Sequence, residues 1–290
     1  EASGTLEIDA AGTVTAQGHN VTADDGITTI NTIAELTAGT SLDISAGANV
    51  VLAETSVLTA DNAAGEINVA AVGDVTVGGV LAASELGFTA GADLTLASTA
   101  VLEGLSGANT GVLSLTAGQT LSHSAYLAVD HLIVDVDGQT DLDLLDLSTL
   151  TIKGEGGELQ ISHYGALDLN AEATDSDISL TNWGNLDLLD IDLTGQAADN
   201  RLEIAVKTGF SSNALAVQAG IVVRDLVSTG YVALTAAGTL SHENSTSAAI
   251  EVDHLDLDLV GDTNLRTLVG RLDAEIAFDD LTLDQATGNL

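Results

Sequence analysis

Apolar residues recur at every second position in short runs along the whole chain, and this alternation limits its fold more than any other feature. The runs Thr5-Leu6-Glu7-Ile8-Asp9, Ser41-Leu42-Asp43-Ile44-Ser45, Asp74-Val75-Thr76-Val77, Asp93-Leu94-Thr95-Leu96 and Asp253-His254-Leu255-Asp256-Leu257-Asp258-Leu259 each put their apolar side chains on one face of an extended strand. Turn signals separate them: Ala11-Gly12, Ala38-Gly39, Val72-Gly73, Ala90-Gly91, Ala117-Gly118 and Asp137-Gly138, where glycine takes backbone angles that cost other residues more. No helical stripe of ten residues or more is present. The chain is expected to be all-β.

Gly12, Gly39, Gly73, Gly91 and Gly118 follow one another at unequal intervals, the longest from Gly39 to Gly73 and the shortest from Gly73 to Gly91. Irregular steps of this kind suit a solenoid, in which one rung touches only its neighbours and can bulge outward without disturbing the rest. An antiparallel sandwich would instead show Asn-Gly or Asp-Gly hairpins at regular intervals, and only Asp137-Gly138 fits well. Composition separates the two. Apolar residues make up 45% of the chain but aromatics only 2%, with one Trp, three Tyr and three Phe. An interior of Leu, Val, Ile and Ala is what a narrow stack of sheets holds at close-packed density. A parallel β-helix of about a dozen rungs is therefore expected, at a repeat of roughly 20–25 residues.

A longer duplication overlies the rungs. Gly111-Val112-Leu113-Ser114-Leu115-Thr116-Ala117-Gly118-Gln119-Thr120-Leu121-Ser122-His123 aligns with Gly230-Tyr231-Val232-Ala233-Leu234-Thr235-Ala236-Ala237-Gly238-Thr239-Leu240-Ser241-His242, eight of thirteen positions being identical. Val129-Asp130-His131-Leu132 recurs as Val252-Asp253-His254-Leu255, and Leu150-Thr151 as Leu281-Thr282. The expected organisation is one continuous β-helix: residues 1–110 end a diverged repeat unit, 111–229 form a unit and 230–290 begin the next.

The pattern apolar-x-apolar-Thr-Ala-Gly-x-x-Leu recurs in Leu113-Ser114-Leu115-Thr116-Ala117-Gly118-Gln119-Thr120-Leu121, in Phe88-Thr89-Ala90-Gly91-Ala92-Asp93-Leu94 and in Leu36-Thr37-Ala38-Gly39-Thr40-Ser41-Leu42. It resembles the filamentous-haemagglutinin type of repeat found in very large secreted bacterial adhesins. The resemblance implies a right-handed parallel β-helix displayed outside the cell.

Charge excludes whole classes of partner. Forty-three Asp and Glu face six Lys and Arg, a formal net charge of −37. The cations are Lys153, Arg201, Lys207, Arg224, Arg266 and Arg271, so residues 1–152 contain none. Nucleic acid and anionic membranes both require a basic footprint, so neither is expected as a partner. A mean hydropathy of +0.31 argues against disorder, which pairs high charge with low hydrophobicity. No run reaches the ~18 apolar residues of a membrane helix. The start at Glu1-Ala2-Ser3-Gly4 reads as a mature segment cut from something longer. Without cysteine there is no disulfide, thiolate metal site or cysteine nucleophile.

Candidate chemistry lies first in the acidic ladders Asp135, Asp137, Asp141, Asp143 and Asp146, then Asp187, Asp190 and Asp192, and then Asp253, Asp256, Asp258 and Asp262. Like charges on adjacent rungs about 4.8 Å apart repel by about 3 kcal/mol in a surface-like dielectric. Solvent, salt and interleaved Thr, Ser and Asn can relieve this, and so can bound Ca²⁺. Asp135, Asp137 and Asp141 are the candidate calcium ligands, though they lack the terminal Glu of an EF-hand loop. His123 and His131 reappear as His242 and His254, which suggests a structural role in each copy; a transition-metal site would need a third ligand placed by the fold. His163 beside Tyr164, and Trp183 between Asn182 and Gly184, are the aromatic spots in a polar setting that could stack on sugars. Thr13, Thr15, Thr76 and Thr95 are too irregularly spaced for a flat ice-binding array. No Gly-x-Ser-x-Gly, Walker loop or dinucleotide fingerprint occurs.

The expected function is a structural repeat segment of a giant extracellular bacterial protein, an adhesin shaft, stalk or fibre without catalytic activity. It would self-associate end to end or with neighbouring repeats and use no cofactor unless Ca²⁺ is bound. The alternative is a glycan-binding, or a calcium-dependent matrix or surface-layer, module.

Overall fold

The computed structural model describes residues 41–60, 64–104, 111–145, 147–154, 156–173, 176–193, 201–207, 221–224, 226–242, 250–261, 263–276 and 281–285, and gives backbone strands within residues 1–40. It is an all-β parallel solenoid: the described residues form no helix, and the strand pairings among them are parallel. The chain divides into two units, Glu1–Asp143 and Leu144–Leu290.

In the first unit a turn is made of three strands, one for each face. On the first face Ser41–Ala46, Glu66–Ala71, Glu85–Ala90, Val112–Ala117 and His131–Val136 stack in register. Alternation sends every second side chain inward, as the burial of each strand shows. Three interior columns result: Leu42–Ile67–Leu86–Leu113–Leu132, Ile44–Val69–Phe88–Leu115–Val134 and Ala46–Ala71–Ala90–Ala117–Val136. Each member is at most 8% exposed. Burying a Leu, Val or Phe in this way contributes about 1.5–3 kcal/mol. A second face carries Val50–Leu52, Val75–Val77, Leu94–Leu96 and Leu121–His123. The third is a separate sheet of six short strands, ending with Tyr126–Ala128.

The amount of chain between registered residues varies. Ser41, Glu66, Glu85, Val112 and His131 are successive partners in the first unit, and the turn from Glu85 to Val112 is longer than the turns on either side of it. In the second unit Leu159, Ile178, Leu202, Val232, Leu255 and Leu272 are successive partners, with the longest turn from Leu202 to Val232 and the shortest from Leu255 to Leu272. The expected repeat of roughly 20–25 residues lies inside this spread. The expected dozen rungs is close to the winding seen. Turns of unequal length nevertheless keep common columns.

Those corners correct one sequence expectation. Gly73, Gly91 and Gly118 follow the first-face strands Glu66–Ala71, Glu85–Ala90 and Val112–Ala117 and belong to one corner, with Gly91 N–H donating to Ala71 O and Gly118 N–H to Ala90 O. Gly12 and Gly39 lie outside the described residues. Gly39, moreover, falls between Glu35–Ala38, a strand of the third sheet, and Ser41–Ala46 on the first face. The five glycines therefore do not mark one period. The apolar-Thr-Ala-Gly pattern thus accompanies strands of two different faces.

The second unit winds with longer strands. Thr149–Gly154, Leu167–Ala173 and Leu186–Leu193 make one stack, and Gly157–Tyr164, Ser176–Trp183 and Arg201–Lys207 another. Leu202, Val232 and Leu255 continue the column of Leu159 and Ile178, and Ile204, Leu234 and Leu257 that of Ile161 and Leu180. Leu189 is the surplus residue of a bulge, since Leu169 pairs with Leu188 and Asn170 with Asp190.

Candidate functional site

Some carboxylates outside the acidic ladders accept hydrogen bonds from the backbone. At one corner of the first unit the Asn49 Oδ1 accepts the Asp74 N–H at 2.8 Å and the Asp74 Oδ1 accepts the Asp93 N–H at 3.2 Å. The Asp93 Oδ1 then takes both the N–H and the hydroxyl of Thr120, at 3.1 and 2.6 Å. Each side chain caps the rung that follows. A carboxylate accepting backbone N–H groups has its charge partly satisfied locally. Elsewhere Asn68 donates to the Asp43 carboxylate one rung away at 3.1 Å.

Asp135, Asp137 and Asp141 do not share a column. Asp135 stands above Thr116 on the first face, Asp137 lies at the corner with its N–H on Ala117 O, and Asp141 stands above Ser122 on the second face. No group of three or more metal-capable side chains forms among the described residues. Asp146 and Asp262 lie outside the described residues. Like-charge register neighbours include Glu66 with Glu85 in the first unit, and Glu158 with Asp177, Asp168 with Asp187, Glu172 with Asp192, Asp256 with Asp273 and Asp258 with Glu275 in the second. Arg224 contacts Asp187 at 3.1 Å, and the Asp177 Oδ1 accepts the Arg201 N–H at 2.9 Å.

Histidines occupy three settings. His163 and Asn182 are fully buried and adjacent in one interior column. The His163 Nε2 accepts the Leu147 N–H at 3.2 Å, which leaves its proton on Nδ1, donated to Asn182 Oδ1 at 2.7 Å. The Asn182 amide then donates to the carbonyls of Gly165, Gly184 and Asn185, 3.0–3.3 Å away. This pair closes a corner whose Gly165 has φ +132°, an angle other residues rarely adopt. Nothing in the sequence paired these two residues except their spacing of one rung.

His254 belongs to an outer row of the second unit in which Arg201, Tyr231, His254 and Arg271 are successive register partners. The Arg201 guanidinium lies 5.1 Å from the Tyr231 ring centre, and the His254 ring meets Tyr231 edge-on at 4.9 Å. A parallel line of carboxylates accompanies them. Glu203 contacts Arg201 at 3.4 Å, Asp256 accepts the Tyr231 hydroxyl at 2.9 Å, and Asp273 contacts both His254 at 3.0 Å and Arg271 at 2.7 Å. Burial, then the bond to Asp256, raises the Tyr231 pKa above its ordinary value. His131 holds the corresponding place in the first unit, above Val112 as His254 is above Tyr231. Burial lowers its pKa, against the neighbouring charge of Asp130.

Trp183 is sandwiched. The Tyr164 ring stacks on it at 4.4 Å and 6°, and the Lys207 ammonium sits 5.1 Å from the ring centre, all three being neighbours in one outer row. Stacking on sugars needs a free ring face, so Trp183 offers an edge instead. Beside it a groove is lined by Lys207, Thr235, Ala237, Asp258 and Val260. In the first unit, Thr76 and Thr95 are register neighbours above Val51 and below Ser122. The side chain of Thr15 and all of Thr13 lie outside the described residues, as does the side chain of His242. No family model matches the chain, and neither a curated protein nor a solved structure matches it.

Proposed function

We propose that this chain is a structural repeat segment of a large extracellular bacterial protein, part of an adhesin shaft, stalk or fibre, and that it performs no catalysis. The observation that carries the reading is the unbroken run of aliphatic columns, Leu42 to Leu132 in the first unit and Leu159 to Leu272 in the second. Every rung in them shares a backbone ladder with the next. Such a ladder resists proteolysis and local opening, because a segment cannot leave without breaking bonds on both sides. Many polar side chains of the second unit serve corners and ion pairs, as Asn182 and the Arg224–Asp187 and Arg271–Asp273 pairs do. The proposal includes the right-handed winding that parallel crossovers generally take. It also includes end-to-end self-association, since a stack of parallel strands presents unpaired edges unless something continues it.

Sedimentation velocity over a hundredfold concentration range, with negative-stain imaging of the same samples, tests this. Elongated particles that lengthen with concentration are expected. Compact particles of constant mass would overturn it.

A second reading, a calcium-dependent matrix or surface-layer module, is favoured by the stacked acid pairs Glu66–Glu85 and Asp168–Asp187. Thermal unfolding with millimolar Ca²⁺ and with chelator separates the two: an unchanged midpoint removes the calcium reading.

A further inference from the structure

The second face of the first unit carries an interior column that includes Leu52, Val77 and Leu96. The next place in that column belongs to His123. Leu52, Val77 and Leu96 are at most 1% exposed, and His123, itself half-buried, continues this aliphatic row. Its Nδ1 is enclosed and has no protein partner, and the hydroxyl of Thr140 is likewise enclosed and unpartnered. Thr140 follows Leu121 in the neighbouring column, one rung on, and is 1% exposed. Two polar side chains thus interrupt two adjacent apolar columns on successive rungs. The charged group acting on the ring is Asp143, which also supplies a backbone hydrogen bond; Ser122 and Ser124 flank it on its own strand. Burial outweighs both effects of Asp143 and holds the ring's pKa below 6.5. The second unit repeats the placement in its backbone, where His242 is in register with buried Val223.

We propose that His123 makes this level of the first unit an acid-sensitive joint: neutral, the ring packs in the column, and on taking up a proton it carries a charge into the apolar interior and loosens the rungs that meet there. The sign follows from linkage. The unfolded chain takes up the proton below about pH 6.5, whereas the folded chain resists it. Stability is therefore lost as pH falls from 6.5 toward the ring's own lower pKa, and is constant in this respect above 6.5. The inference does not depend on the proposed extracellular role.

The test is His123→Leu, which restores the column, with His123→Gln as a neutral polar control, both in the full chain. Unfolding constants are measured in urea at pH 7.5, 6.5, 6.0 and 5.5. The ratio of wild-type to His123→Leu constants is expected to be flat above pH 6.5 and to rise by up to about tenfold per pH unit below it, with His123→Gln giving the same trend. A ratio that stays constant across the range would overturn the proposal, as would a wild-type ring that titrates above 6.5 by NMR.

Discussion

Substitution of Gly118 by alanine isolates the feature that lets rungs of unequal length share a column. A Cβ on Gly118 would lie 2.5 Å from the carbonyl oxygen and 3.2 Å from the carbonyl carbon of Gly91, the corner residue one rung away. Ordinary contact begins near 3.4 Å, so the corner must open by about 0.9 Å. Gly118 N–H donates to Ala90 O at 3.1 Å, and the same displacement would carry that bond beyond useful length, losing about 1 kcal/mol. Forcing two backbones apart adds the 1–3 kcal/mol typical of overpacking. Gly118→Ala is therefore expected to destabilise by about 2–4 kcal/mol. Gly87→Ala is the matched control. Its Cβ would meet only the Asn68 side chain, with Oδ1 at 2.8 Å, a group that can turn away. Lower unfolded-state entropy should make that variant neutral or more stable by up to about 1 kcal/mol. Urea titrations of both at pH 7.5, followed by far-ultraviolet circular dichroism, give the difference. Equal midpoints for the two variants would refute the close approach of the corners.

Asn182→Ala strips partners from the His163 Nδ1–H and from three carbonyls and is expected to cost about 3–5 kcal/mol; urea unfolding measures it, and a loss below about 1 kcal/mol would contradict the buried network. Leu86→Ala, at a site 2% exposed in mid-column, should cost about 2–5 kcal/mol by the same assay. Tyr231→Phe removes one partly exposed bond to Asp256 and should cost about 1 kcal/mol or less. Raising NaCl from 20 mM to 0.5 M should raise the melting temperature, because Glu66–Glu85 and Asp168–Asp187 face each other across rungs and salt screens them; an unchanged or lower midpoint would show that these pairs do not repel.

The strands and their inward faces were readable from the sequence because alternation is local: Leu42, Ile44, Leu94 and Leu96 each announce their face through their immediate neighbours. Register was not readable. The link from Glu66 to Glu85 or from Leu202 to Val232 depends on how much chain leaves the column between them, and no local rule sets that length. The same limit hid the candidate residues. Trp183 reads as an isolated polar-flanked aromatic until turns of unequal length bring Tyr164 and Lys207 above and below it. Asp74 and Asp93 read as surface charges until each accepts a backbone N–H from the next rung or its neighbour. The duplicated histidines were visible as a repeat, but only register shows that His123 enters an aliphatic column while His131 stands on an outer face.

Methyl-to-methyl nuclear Overhauser contacts in a selectively labelled full chain address the stacking itself. Leu86 is expected to contact Ile67 and Leu113, and Leu113 to contact Leu132, in the order of the column. Contacts that instead join Leu86 to residues across a short hairpin, or that skip between non-adjacent members of the column, would contradict the parallel solenoid.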